Sequence, residues 1–231
     1  MSRDAIFGAI QRGLRRGPLP ADQTLGLYAR LNAHPRHLVP QRSNLPHPQQ
    51  IELFLRNLEK EFATFTSVAS NDDVPCAVAD YIASQNLPAD IIIAPHPELR
   101  AIPWFNRPLL QLREGRAEAS DLVSVQHGYV GIAETGTLML PAAPHRPTTL
   151  NLLCDTEIVV LRASRVVGPF EDAWDILRRE REGMVYGNFL PRNVMFVTGP
   201  SRSADIESTL ELGAHGPRRL HVVLIDDTTA G

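Results

Sequence analysis

The run Ile91-Ile92-Ile93 is the feature that most constrains how this chain folds. Three adjacent β-branched residues leave no polar face, so residues 90–94 are expected to form a strand buried on both sides, as in the interior of a parallel sheet. Residues 64–68, 121–126, 136–140, 157–161, 193–197 and 220–225 read as further strands. Residues 71–73 can cap a helix over 74–86 that ends near Pro88. Ile51, Phe54, Leu55, Leu58 and Phe62 share one face of a helix over 49–63, and Phe170, Ala173, Trp174 and Leu177 share one over roughly 169–182. A further helix is expected around 203–211, between the last two strands. Strand and helix alternate, which is the pattern of an α/β domain with a mostly parallel sheet.

Ahead of this body, residues 2–16 place Ile6, Ile10 and Leu14 four apart, as in a short amphipathic helix. Residues 17–48 carry Pro18, Pro20, Pro35, Pro40, Pro46 and Pro48, so loop or extended chain is expected there, with one helical turn around 24–31. The organisation expected is therefore an N-terminal helix and Pro-rich arm over 1–48 and an α/β domain over 49–227.

Composition narrows the function. A net charge of −3 and a pI near 6.2 argue against a nucleic-acid binder that relies on a broad basic surface. No apolar run approaches the roughly 18–20 residues of a membrane span, and the N-terminus lacks the pattern of a secretory signal, so a cytoplasmic protein is expected. The two cysteines, Cys76 and Cys154, cannot supply a CxxC pair, a zinc cluster or a cage for an iron–sulfur cluster, so no cofactor is expected in this chain. Lys60 is the only lysine, and the flanking Glu59 and Glu61 favour a solvated charge over Schiff-base chemistry. His34, His37 and His47 lie close in sequence, but Pro35 breaks the helix that would align the first two, and HExxH is absent, so no metal site is expected. Walker A, GxSxG and GxGxxG patterns are also absent.

Three loops can carry chemistry. In residues 126–141, QHGYVGIAETGTLMLP, glycines permit a close ligand-facing turn. Glu134 is the one carboxylate of that stretch. It can serve as acid, base or nucleophile, or be a structural partner of Thr135 or Thr137. His127 is a second candidate in the same loop. In residues 197–207, VTGPSRSADIE, a strand and Gly-Pro turn lead to a helix that Ser201 or Ser203 can cap. Such a helix start suits an anion, with Arg202 as a clamp; a plain capped helix is the alternative. In residues 212–220, His215-Gly216-Pro217 makes a turn before the last strand, where His215 either moves a proton or merely ends a helix.

The blocks GIAETGTLMLP (131–141), TGPSRSADIE (198–207) and AHGPRRLHVVLID (214–226) resemble, in this order, the lactate-utilisation protein C family, or LUD domain. The resemblance covers roughly residues 50–226. It implies a Rossmann-like fold of the NagB/RpiA/CoA-transferase type. It also implies a place in a bacterial system that oxidises L-lactate to pyruvate with iron–sulfur partner proteins, this chain being a component without a cluster. The motif positions are Glu134, Thr135, Gly136 and Thr137; then Gly199, Pro200, Ser201, Arg202, Asp205 and Glu207; then His215, Gly216 and Pro217. Ser203 stands where threonine is expected, which keeps a hydroxyl. By this likeness Glu134 and His215 are candidate catalytic residues. Thr135, Gly136, Thr137, Gly199, Ser201, Arg202, Ser203 and Asp205 are candidates to bind a small anionic metabolite. Homo-oligomers are compatible with this reading. The alternative is a free-standing enzyme of CoA-transferase or sugar-phosphate-isomerase type, built on Glu134 and the 199–202 turn. A third is an interaction module that docks a partner through the arm.

Overall fold

The structure, a computed structural model, describes residues 2–15, 17–36, 38–181, 190–204 and 210–228. The chain divides into two compact units, residues 1–38 and 39–231. The first holds α1 (Arg3–Gly13), capped by the Ser2 hydroxyl, and α2 (Ala21–Ala33). The second helix corrects the expectation of loop with a single turn. Pro18 and Pro20 precede it and Pro35 follows it, so the prolines bound a 13-residue stretch that contains none.

The second unit opens with α3 (His47–Lys60), which has Pro48 in its first turn and buries Leu53, Phe54 and Leu58. It stops where Phe62 takes a left-handed φ of 66° and the Ala63 N–H donates to the Leu58 carbonyl. Next come β1 (Thr64–Val68), a capping box between Ser70 and Asp73, and α4 (Val74–Ser84). Then follow β2 (Asp90–Ile93), the one-turn α5 (Pro97–Arg100), β3 (Gln111–Glu114) and β4 (Val123–His127). After these lie β5 (Val130–Ile132), β6 (Thr137–Pro141), β7 (Thr156–Arg162), β8 (Val166–Val167) and α6 (Phe170–Glu180). The described chain closes with β9 (Val194–Val197), β10 (Arg202–Ala204), β11 (Leu210–Leu212) and β12 (Arg219–Ile225).

Six strands form an all-parallel sheet in the order β1-β12-β7-β4-β2-β3, which bears out the α/β reading. Ile91, Ile92 and Ile93 are all buried, as their sequence requires. One face packs on α4 through Val78, Ile82, Ile158 and Val223. The other packs on α3 through Phe54, Leu58, Val159, Leu161 and Val222. Beyond α3 lies a second, mixed sheet in the order β8-β5-β6-β9, covered by α6 through Ala173 and Leu177. Among the described residues no helix is long and apolar enough to cross a membrane.

The helix expected around 203–211 is replaced in its described parts by an antiparallel hairpin of β10 and β11. The Ser201 N–H donates to the Pro217 carbonyl at 2.8 Å and the Gly213 N–H to the Ser201 carbonyl at 3.1 Å. These bonds draw the two arms together, and strand pairing then satisfies the backbone groups that helical bonds would have used.

Candidate functional site

Helix α3 and the β5–β6 turn build one site. Gly136 has φ +67°, and a Cβ there would lie 2.6 Å from both the Asn57 carbonyl carbon and the Leu58 nitrogen. Asn57 Nδ2 donates to the Ala133 carbonyl at 2.8 Å and to the Glu134 carbonyl at 3.3 Å. On the other side, the Ala133 and Glu134 N–H groups donate to the carbonyls of Val167 and Gly168. The turn is therefore held from two directions, and a short pinned backbone leaves the Glu134 side chain little freedom.

Glu134, Thr135 and Thr137 line a cleft of about 600 Å³ together with Arg42, Arg56, Lys60, Glu61 and Thr198. The Glu134 carboxylate is 12% exposed, and its Oε1 lies 3.4 Å from Nη2 of the exposed Arg42. The hydroxyls of Thr135, Thr137 and Thr198 form a chain with links of 2.6 and 2.7 Å, which can offer a ligand either a proton or a lone pair. Gly199, with φ +71°, passes so close to the Glu61 carbonyl that any Cβ would overlap it, and this approach brings Thr198 to the cleft. Three cations against two carboxylates leave the lining one positive charge in excess, which favours a small anion.

A second cluster sits at the carboxyl ends of the parallel strands, where such sheets hold ligands. His127 is the last residue of β4 and Arg162 the last of β7, while His96 follows β2 and Asp227 follows β12. The His96 and His127 rings stack with centroids 3.6 Å apart. His127 Nε2 lies 3.4 Å from Glu98 Oε1, and Arg162 Nε donates to Glu98 Oε2 at 2.6 Å. The Glu98 N–H donates to His96 Nδ1 at 3.3 Å. Burial, then the neighbouring His127, lowers the His96 pKa to about 3. Burial also lowers that of His127, against the opposing pull of Glu98. The neighbouring His127, and then the hydrogen bond from Arg162, outweigh burial at Glu98 and hold its carboxyl down at about 2. The Glu98 carboxylate thus faces the His127 ring through Oε1 and the Arg162 guanidinium through Oε2.

A family model described as LUD domain matches residues 51–225, most of the chain. The chain belongs to the LUD domain family. Curated relatives include Lactate utilization protein C of Bacillus velezensis, 34% identical over 46% of this chain and 42% of that protein. Lactate utilization protein C of Bacillus subtilis is 32% identical, with the same two shares. An uncharacterized protein of Neisseria meningitidis is 40% identical over 41% of this chain and 38% of that protein. Each match thus spans less than half of the relative's own length. A crystal structure of a DUF162 family protein from Deinococcus radiodurans superposes with a TM-score of 0.58 at 22% identity, covering 78% of this chain and 99% of that one, a likeness of fold.

This LUD domain brings together Glu134, Thr135 and Thr137, with Gly136 shaping their turn. Of the other sequence candidates, Gly199 borders the cleft at Glu61, while the described contacts of Ser201, Arg202 and His215 lie elsewhere. Among the described residues the 199–202 turn leads into strand β10, which offers no helix terminus to an anion. The Ser201 hydroxyl instead accepts from the His215 N–H at 3.1 Å. The Arg202 guanidinium lies 3.4 Å from the centre of the Phe62 ring. Ser203 is in β10, and Asp205 and Glu207 fall outside the described residues. His215 is exposed in a turn that leads into the amino end of β12, with no contact to the cleft among those described. Sequence reasoning missed Arg42 as the partner of Glu134 and Lys60 as part of its cleft, and missed His96 and Glu98 altogether. The available signal was position: His96-Pro97-Glu98 directly follows the strand marked by the three isoleucines.

Proposed function

We propose that this LUD domain is a component of bacterial L-lactate utilisation that binds a small 2-hydroxy- or 2-oxo-carboxylate in the Glu134 cleft. The observation that carries the reading is the meeting of Glu134 and the threonine hydroxyl chain with Arg42, Arg56 and Lys60 in one cleft. The name of the Bacillus relatives, Lactate utilization protein C, supports the choice of lactate as the system. In this reading the cations hold the carboxylate of the ligand. The threonine chain bonds its 2-oxygen, and Glu134 stands ready to accept that hydroxyl's proton. Oxidation of lactate to pyruvate breaks the O–H and C2–H bonds and releases two electrons and two protons, the hydroxyl proton to Glu134 and the C2 proton to solvent. Cys76 and Cys154 are too few for a cluster, so iron–sulfur partner proteins receive the electrons. The chain itself works without a cofactor of its own in electron transfer, in the cytoplasm.

The test is gentle affinity purification of the full chain from lactate-grown cells, with assays of bound iron and lactate-dependent dye reduction. Iron-bearing chains that co-purify with activity support the reading. A lone, colourless chain that binds neither lactate nor pyruvate overturns it.

A further inference from the structure

We propose that His96, Glu98 and His127 form a binding site for a divalent first-row transition cation, zinc being the first candidate, at the carboxyl edge of the parallel sheet. One ligand atom from each of the three lies within 4.8 Å of those of the other two. Two imidazoles and one carboxylate are the donor set of catalytic zinc sites and of non-haem iron(II) sites, and both types keep positions open. The 3.4 Å between His127 Nε2 and Glu98 Oε1 is long for a charge-assisted hydrogen bond. It is close to the roughly 3.3 Å that separates two ligands about 2.0–2.1 Å from one tetrahedral ion.

Two neighbours support the assignment. Arg162 takes the outer oxygen of Glu98 at 2.6 Å and leaves Oε1 turned toward the histidines, as residues around a metal site orient its ligands. His145, tilted against His96 with ring centres 4.9 Å apart, lies near enough to face a ligand of the ion. Three protein donors leave open positions for water or for an oxygen-donor ligand such as a carboxylate. His127 ends β4 two residues before Tyr129, His96 follows β2, and the site is independent of the Glu134 cleft in its residues.

The experiment titrates chelator-stripped full chain with zinc by calorimetry and measures metal content after desalting. Cobalt(II) is added to a second sample to read the visible spectrum of its coordination. About one zinc per wild-type chain and intense cobalt bands of a low-symmetry four- or five-coordinate site are expected. The double variant His96→Ala/His127→Ala and the single Glu98→Gln should lose both signals, while His34→Ala/His47→Ala keeps them. Arg162→Ala should weaken zinc roughly 10- to 100-fold. Circular dichroism of each variant separates lost binding from lost folding, and the wild-type cobalt spectrum needs no variant at all. No stoichiometric metal on the wild type, or equal uptake by a folded His96→Ala/His127→Ala variant, overturns the proposal.

Discussion

Gly136 and Asn57 are in backbone-to-backbone contact: a Cβ on the glycine would stand 2.6 Å from the Asn57 carbonyl carbon. Helix α3 and the Glu134 turn therefore behave as one piece, tied further by the Asn57 amide. Gly136→Ala meets both this overlap, which no side-chain rotation relieves, and a φ of +67°. We expect a loss of about 2–4 kcal/mol in urea unfolding from the strained backbone and overpacking. A loss below about 1 kcal/mol would contradict the close approach.

Glu134→Gln separates binding from chemistry in the cleft. The Arg42 contact it removes is long and one partner is exposed, so stability should change by no more than about 1 kcal/mol. Loss of the negative charge should leave pyruvate affinity equal or tighter, because three cations then face one carboxylate. Lactate-dependent dye reduction by the assembled system should fall by roughly 100-fold or more if Glu134 takes the hydroxyl proton. Retained dye reduction would assign Glu134 a purely structural role.

Arg56→Ala/Lys60→Ala probes the other half of the cleft. Both side chains are exposed on α3, so folding should be unaffected. Calorimetric affinity for pyruvate should fall about tenfold or more, and the remaining affinity should depend less on salt. Undiminished binding would place the carboxylate elsewhere.

Glu157 makes stability fall with rising pH. It lies fully buried in β7, accepts a hydrogen bond from Asn151, and burial raises its pKa to about 8. The unfolded chain releases this proton near about 4.3. Between those values the folded state holds one more proton than the unfolded state, so stability declines as pH rises through the window and levels off above it. Glu157→Gln keeps the shape and removes the titration. Its melting temperature should gain on the wild type steadily from pH about 5 to about 8. Parallel melting curves across that range would refute the assignment.

His221 acts with the opposite sign. It is stacked on Tyr81 with centroids 3.9 Å apart, its Nδ1 is 2.8 Å from the Thr64 hydroxyl, and burial lowers its pKa to about 4. The unfolded histidine titrates near about 6.5, so stability is present above that pH and is lost as pH falls toward about 4. His221→Phe keeps the stack and should flatten the acid limb of the stability profile by about one proton. An unchanged limb would assign acid sensitivity to other groups, such as His96.

The features readable from residues alone are those whose causes are local. Ile91–Ile93 and the apolar run of β7 declare buried strands because nothing in them tolerates water, and the turn at Glu134 is announced by the glycine that only a tight approach demands. The LUD blocks were legible for the same reason, as short strings of turn and strand residues. In its described parts the helix expected around 203–211 gave way to β10 and β11, because capping residues favour a helix only weakly, whereas Pro217 and Gly213 offered Ser201 partners that a linear pattern does not display. The arm failed in the other direction: its prolines bound α2 where counting them suggested loop. Parallel strand order alone brings β2 beside β4 and so sets His96 and Glu98 against His127. Packing of α3 on the β5–β6 turn alone brings Lys60 into the cleft of Glu134, and the segment ahead of α3 adds Arg42. The sequence by itself determined which segments must be buried and where the chain must turn tightly, since hydrophobicity and backbone sterics act within a few residues. Which charged and titratable groups face one another was decided by the tertiary structure, because their separation along the chain carries no information about the crossover that joins them.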